Sequence, residues 1–137
     1  MQQFLDHYYS LTRIQSELEH PAEQVYFAEK DGVPVAYIRF MESEIPFPTS
    51  LGTRALELNR LYVDQAYQGK GIAATLMDFY LDYAKNQAYE LLWLGVWEHN
   101  YRAKAFYRKY GFGFTGELHP FPIGDTPQTD EWWARPC

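Results

Sequence analysis

Residues 55–73 read Ala-Leu-Glu-Leu-Asn-Arg-Leu-Tyr-Val-Asp-Gln-Ala-Tyr-Gln-Gly-Lys-Gly-Ile-Ala, and this stretch decides the fold. Ala55 to Val63 predicts a strand with one irregularity. Leu56 and Leu58 hold even positions, Leu61 and Val63 odd ones. A regular strand keeps one parity per face. A β-bulge near Asn59-Arg60 produces such a switch, and so does a strand buried on both faces. Asp64 to Gly71 is then a loop, and Ile72 opens a helix. Exposed backbone N–H groups at a helix start attract anions, and glycines let a phosphate approach closely. A Walker A loop is excluded, because Asp64 stands where its first glycine belongs and Gly71 where Ser or Thr belongs. A dinucleotide fingerprint is excluded too: Ala74 falls at the third glycine, and the loop sits mid-chain.

Downstream, Ile72 to Ala88 predicts a helix with Leu76, Tyr80, Tyr83 and Ala84 on one side. Leu91 to Val96 is a nearly continuous apolar strand, as inside a covered sheet. Tyr101 to Tyr110 is a second helix, with Gly111 at its left-handed terminus. Phe112 to Leu118 and Thr129 to Ala134 are late strands. Pro120, Pro122, Gly124 and Pro127 predict a long turn between them. Upstream, Val25 to Lys30 and Val33 to Glu42 flank Asp31-Gly32, a two-residue hairpin signal. Ser43 to Thr53 is a loop. Phe4, Tyr8, Leu11, Ile14 and Leu18 step by four, three, three and four, which predicts a helix closed by Pro21. The order implies an α/β domain over residues 1–137, a mixed sheet with helices on both faces.

The 137 residues suit one domain, and 47% hydrophobic with 22% charged residues suits a packed core. Aromatic residues make up 18%, enough both to fill a core and to line a cleft. The formal charge of −6 argues against nucleic acid as a partner and is compatible with a cationic one. Cys137 is the one cysteine, so no internal disulfide forms, and the four histidines show no close ligand spacing; no metal is expected. No signal peptide or membrane span is legible, and the expected setting is the cytoplasm.

A second segment sharpens the reading. Gln68-x-x-Gly71-x-Ala73 is followed by Asn100-x-x-Ala103-x-x-Phe106-Tyr107-x-Lys109-x-Gly111-Phe112. Together these resemble the GCN5-related N-acetyltransferase (GNAT) family over roughly residues 25 to 118. Leu56 to Val63, Leu94 to Asn100 and Gly124 to Asp130 are similar to its bacterial PaiA-like polyamine N-acetyltransferases. The resemblance implies acetyl-CoA as co-substrate and a small primary amine as acceptor. It implies that backbone groups of Leu61, Tyr62 and Val63 meet the pantetheine and acetyl carbonyl. Gln68, Gly69, Lys70, Gly71, Ile72 and Ala73 would take the pyrophosphate, with Asn100 and Lys109 touching the cofactor from the other side. One departure stands out: the family begins with a strand and helices, whereas only about two dozen residues precede Val25. The first N-terminal strand is therefore expected to be missing, which would leave a sheet edge open to a second copy in a homodimer.

Acetyl transfer needs a neutral amine, a held oxyanion and a protonated thiolate. An alkylamine with pKa ~10.4 is neutral in roughly one molecule per few thousand at pH 7. Glu57 is the first candidate to accept the amine's proton and Glu98 the second. Ribosomal-protein relatives carry a glutamate base at the position of Gly95, so that route is absent. Tyr107 would protonate the thiolate, although it also falls on its helix's apolar side. Arg102, Lys104, Arg108 and Lys109 put four cations on one short helix, for phosphate or for solvent. The alternatives are a CoA-binding module without turnover, or an acetyltransferase of amino acids or protein N-termini.

Overall fold

The computed structural model describes residues 2–5, 9–14, 23–49, 54–123 and 126–137. Its elements are β1 (Gln2–Leu5), β2 (Tyr9–Ile14), β3 (Glu23–Lys30), β4 (Val33–Glu42), β5 (Ala55–Val63), α1 (Ile72–Asn86), β6 (Leu91–Trp97), α2 (Tyr101–Lys109), β7 (Gly113–Ile123) and β8 (Thr126–Pro136). The chain divides into two compact units: Met1–Glu42 with Leu58–Ala88, and Ser43–Glu57 with Tyr89–Cys137. No described helix is long and apolar enough to cross a membrane.

In the first unit the strand order is β1-β2-β3-β4-β5. The β3–β4 hairpin closes with Lys30 opposite Val33. Asp31 and Gly32 both take positive φ, 54° and 79°, the twist a tight two-residue turn requires. Helix α1 buries Ile72, Leu76, Met77, Tyr80 and Ala84 at helical spacing. Rings from strand and helix meet there: Phe40 lies 5.3 Å from Tyr80 and 4.9 Å from Tyr83, centroid to centroid.

The N-terminal helix expected from Phe4 to Leu18 is not found. Gln2–Leu5 and Tyr9–Ile14 are strands, with β1 antiparallel to β2 and β2 antiparallel to β3. The apolar spacing of a helix was present, but Tyr9, Thr12 and Ile14 favour extended backbone, and β3 offers an open ladder to pair with. Pairing outweighed the period. The sheet therefore does not begin at the hairpin, and the expectation of a missing N-terminal strand is corrected with it. Tyr8, Leu18 and Pro21 lie outside the described residues.

In the second unit the order is β5-β6-β8-β7. The carbonyl of Arg54 accepts from the N–H groups of both Glu90 and Leu91, so β5 and β6 start side by side and run parallel. β8 is antiparallel to β6 and to β7, so the sheet is mixed, as the sequence implies. The proline-rich turn is shorter than expected. Pro120 pairs with Thr129 and Pro122 with Pro127 inside the β7–β8 ladder. β7 is the edge strand, where a proline's missing N–H costs no ladder bond. Pro127 lies beyond Asp130, the last β8 residue paired with β6. Phe47, Ala55, Leu91 and Trp93 form a buried cluster, with Ile45, Trp132 and Ala134 packed on it.

Candidate active site

Strand β5 ends in the irregularity its sequence announced. Leu56 and Leu58 are buried, Asn59 and Arg60 are exposed in succession, and Leu61 and Val63 are half-buried on either side of exposed Tyr62. The hydrogen bonds agree. The Ser43 N–H donates to Ala55 O at one end of β5, and the Asp64 N–H to Val35 O at the other. Nine residue steps of β5, Ala55 to Asp64, thus stand against eight from Val35 to Ser43, the count that one bulged residue produces.

Past Val63 the first unit builds the glycine loop. Asp64 accepts from the Ala66 N–H at 3.0 Å and starts a single 3-10 turn over Gln65–Tyr67. Gln68 Nε2 donates to Val63 O at 3.1 Å, tying the loop to the strand end. Gly69 and Gly71 take φ of 79° and 82°, which side chains resist, and no atom lies within 4 Å of where a Cβ would stand. Gly71 caps α1 with no side-chain hydrogen bond. The start of α1 therefore presents backbone N–H groups and no capping side chain, beside an open surface. These features fit a phosphate. Lys70 is exposed, its Nζ 5.5 Å from the Tyr67 ring centroid. Leu61, Tyr62, Val63 and Gln68 to Ala73 are thus brought together in one unit.

Asn100, Tyr107, Lys109 and Glu57 belong to the second unit. Asn100 Oδ1 caps α2 by accepting from the Ala103 N–H at 3.1 Å. Tyr107 packs against Phe112, rings 6.0 Å apart. Burial pushes its phenol above the ordinary tyrosine value. Lys109 ends α2 exposed. Glu57 accepts from Ser43 Oγ at 3.1 Å. Glu98 lies 3.3 Å from His99 Nε2 at the surface. The four cations of α2 divide. Lys104 Nζ donates to Glu98 O at 2.6 Å and meets Glu131 Oε2 at 3.3 Å, and Arg108 lies over the Trp133 ring at 5.2 Å. Lys104 is half-buried and serves the unit's own packing, while Arg102, Arg108 and Lys109 are exposed. No group of three or more metal-ligating side chains gathers among the described residues.

A glycine loop thus opens a helix after a bulged strand in the first unit, and a tyrosine-bearing helix follows β6 in the second. The chain matches a solved GNAT family acetyltransferase from Elizabethkingia anophelis, with acetyl-CoA bound, at a TM-score of 0.71 and 14% identity, covering 96% of this chain and 100% of that one. An uncharacterized N-acetyltransferase from the pepI 3′ region of Lactobacillus delbrueckii subsp. lactis is 31% identical over 130 residues, 95% of this chain and 74% of that protein. The spermine/spermidine N(1)-acetyltransferase of Bacillus subtilis is 32% identical over 62 residues, 44% of this chain and 41% of that protein. The model of the acetyltransferase (GNAT) family matches residues 2–112, and the chain belongs to that family. It is an acyltransferase of the N-acetyltransferase type.

Proposed function

We propose that residues 1–137 act as one N-acetyltransferase domain that moves acetyl from acetyl-CoA to a primary amine of a small polycation such as spermidine. The observation that carries the donor is the Gln68 to Ala73 loop, with two left-handed glycines and no side-chain cap at the helix start. Family membership and the acetyl-CoA held by the Elizabethkingia neighbour support the same donor. The acceptor rests on the partial match to the Bacillus spermine/spermidine enzyme and on the charge of −6.

The acceptor reaches the protein as an ammonium ion and must first lose a proton, to Glu57 or to a water that Glu57 holds. Its nitrogen then attacks the thioester carbonyl. The N–C bond forms, and negative charge grows on the carbonyl oxygen. A backbone N–H in Leu61 to Val63, released from the ladder by the bulge, stabilises that charge. As the C–S bond breaks, Tyr107 donates its proton to the sulfur. A phenol held protonated by burial donates to a thiolate of pKa ~8.5 and regains its proton from solvent. The nitrogen sheds its second proton, so each turnover releases CoA thiol, the amide and one proton.

Thiol release from acetyl-CoA, measured against polyamines, amino acids and peptides, tests this reading. Turnover with spermidine above the other amines is expected. Turnover with peptides or amino acids alone would replace the acceptor class, and none with any amine would sink the activity.

A further inference from the structure

Strand β8 sets one row of chemistry across the second unit. Gly95 stands opposite Trp132, and Trp97 opposite Asp130. Asp130 in turn stands opposite His119 of β7. Residues paired across antiparallel strands share a face, so these five positions line one surface. None of them is Lys or Arg. The His119 ring stacks on Trp132, centroids 5.2 Å apart and 19° from parallel. Trp97 is 43% exposed.

Gly95 leaves a gap in this surface. A Cβ there would stand 3.7 Å from Trp132 Cδ1 and 3.8 Å from Asp130 Oδ2. The Asp130 carboxylate is half-buried. Its Oδ1 accepts from Gln128 Nε2 at 3.3 Å, and its Oδ2, on the gap, receives no donor from the described residues. A carboxylate oxygen that accepts from no neighbour is open to a charge-assisted hydrogen bond from a cationic N–H.

We propose that this gap is a subsite for an alkylammonium group of the acceptor. The methylene chain crosses the bare Gly95 backbone against the edge of Trp132. The ammonium donates to Asp130 Oδ2 beside the exposed Trp97 ring. This deepens the polyamine reading and rests on it: the subsite is what would separate an amine with a second positive charge from one without.

Two variants and two readouts test it. Asp130→Asn keeps the shape and removes the charge. Gly95→Val fills the gap with a residue suited to a strand, and an unaltered melting temperature shows that it folds. The first readout is kcat/KM for spermidine relative to n-butylamine, which carries a single ammonium. The second is quenching of tryptophan fluorescence by spermine without acetyl-CoA. The spermidine-to-butylamine ratio should fall about tenfold or more in either variant, the order of one charge-assisted hydrogen bond. Saturable quenching by spermine should weaken with it. If Gly95→Val does not fold, Asp130→Asn carries both measurements. An unchanged ratio with unchanged quenching overturns the subsite. Wild-type protein that turns over no amine, yet binds spermine in an Asp130-dependent way, sinks the proposed activity and leaves the subsite standing.

Discussion

Gln68 Nε2 donates to the carbonyl of Val63 at 3.1 Å, so the side chain that opens the glycine loop also holds the end of β5. One exposed hydrogen bond contributes roughly 0.5–1.5 kcal/mol. In Gln68→Ala the strand end and the loop lose their tie, while the packed core is untouched. Acetyl-CoA affinity should weaken about three- to tenfold with little change in melting temperature. Calorimetric titration checks this, and an unaltered Kd in the folded variant would separate the tie from the donor site.

Gly71 separates two effects at one position. Its φ of 82° costs an alanine about 1–2 kcal/mol, so Gly71→Ala should melt a few degrees lower. Gly71→Glu adds a carboxylate where phosphate is to sit. Acetyl-CoA should raise the melting temperature of the wild type, since it binds the folded state alone. That shift should vanish in Gly71→Glu and persist, reduced, in Gly71→Ala. An equal acetyl-CoA shift in all three proteins would remove the phosphate from this loop.

What the sequence revealed was local. The Asp31-Gly32 turn and the glycines at 69, 71 and 111 each depend on a few neighbouring residues, and each reads directly. The bulge in β5 was legible because parity is a property of a single strand. The N-terminal segment was not, because its spacing suits a helix while its partner, β3, lies elsewhere in the chain. Pro120 and Pro122 look like turn residues until β7 is known to be an edge. The gap at Gly95 is invisible in sequence, since the register that sets Trp132 and Asp130 around it joins residues more than thirty positions apart.

Tyr107→Phe keeps the ring and removes the proton. Turnover should fall by roughly 10²–10⁴ with acetyl-CoA affinity little changed. Stability should respond to pH in a defined direction. The folded phenol is raised above the ordinary value of about 10. The native state therefore holds a proton that the unfolded chain has released, and this stabilisation is complete below pH ~10. It is lost as pH rises through the folded value. Wild type should lose stability faster than Tyr107→Phe above pH ~10, as read by urea titrations at stepped pH. Parallel curves would show that burial does not hold this proton.

Lys104 and Glu131 are a half-buried pair whose side chains are 13% and 15% exposed, Nζ to Oε2 at 3.3 Å. Glu131 Oε1 also accepts from Trp133 Nε1 at 2.9 Å, so the lysine holds a carboxylate that positions a core indole. Lys104→Met retains the stem and strands the carboxylate. Stability should drop by about 1–3 kcal/mol, with kcat and acetyl-CoA affinity nearly unaltered. A large loss of acetyl-CoA affinity without loss of stability would instead assign Lys104 to the phosphates.

Salt separates a cationic acceptor from a neutral one. The chain carries −6, and Glu44 and Asp130 are acidic groups whose charge the proposed polyamine would feel. Their attraction acts over about a Debye length, ~8–10 Å near physiological ionic strength, and shrinks as salt rises. A trivalent acceptor feels this field on every charge, whereas a peptide with one amino group feels it once. The KM for spermidine should therefore climb severalfold between low salt and ~0.5 M, while the KM for an alanine-starting peptide moves little and kcat for both stays level. Acetyl-CoA must be saturating at each salt concentration, because its phosphates respond to salt as well. A spermidine KM that is flat with salt, or a specificity constant higher for the peptide, would show that −6 is a solvated surface and that the acceptor is not a polycation.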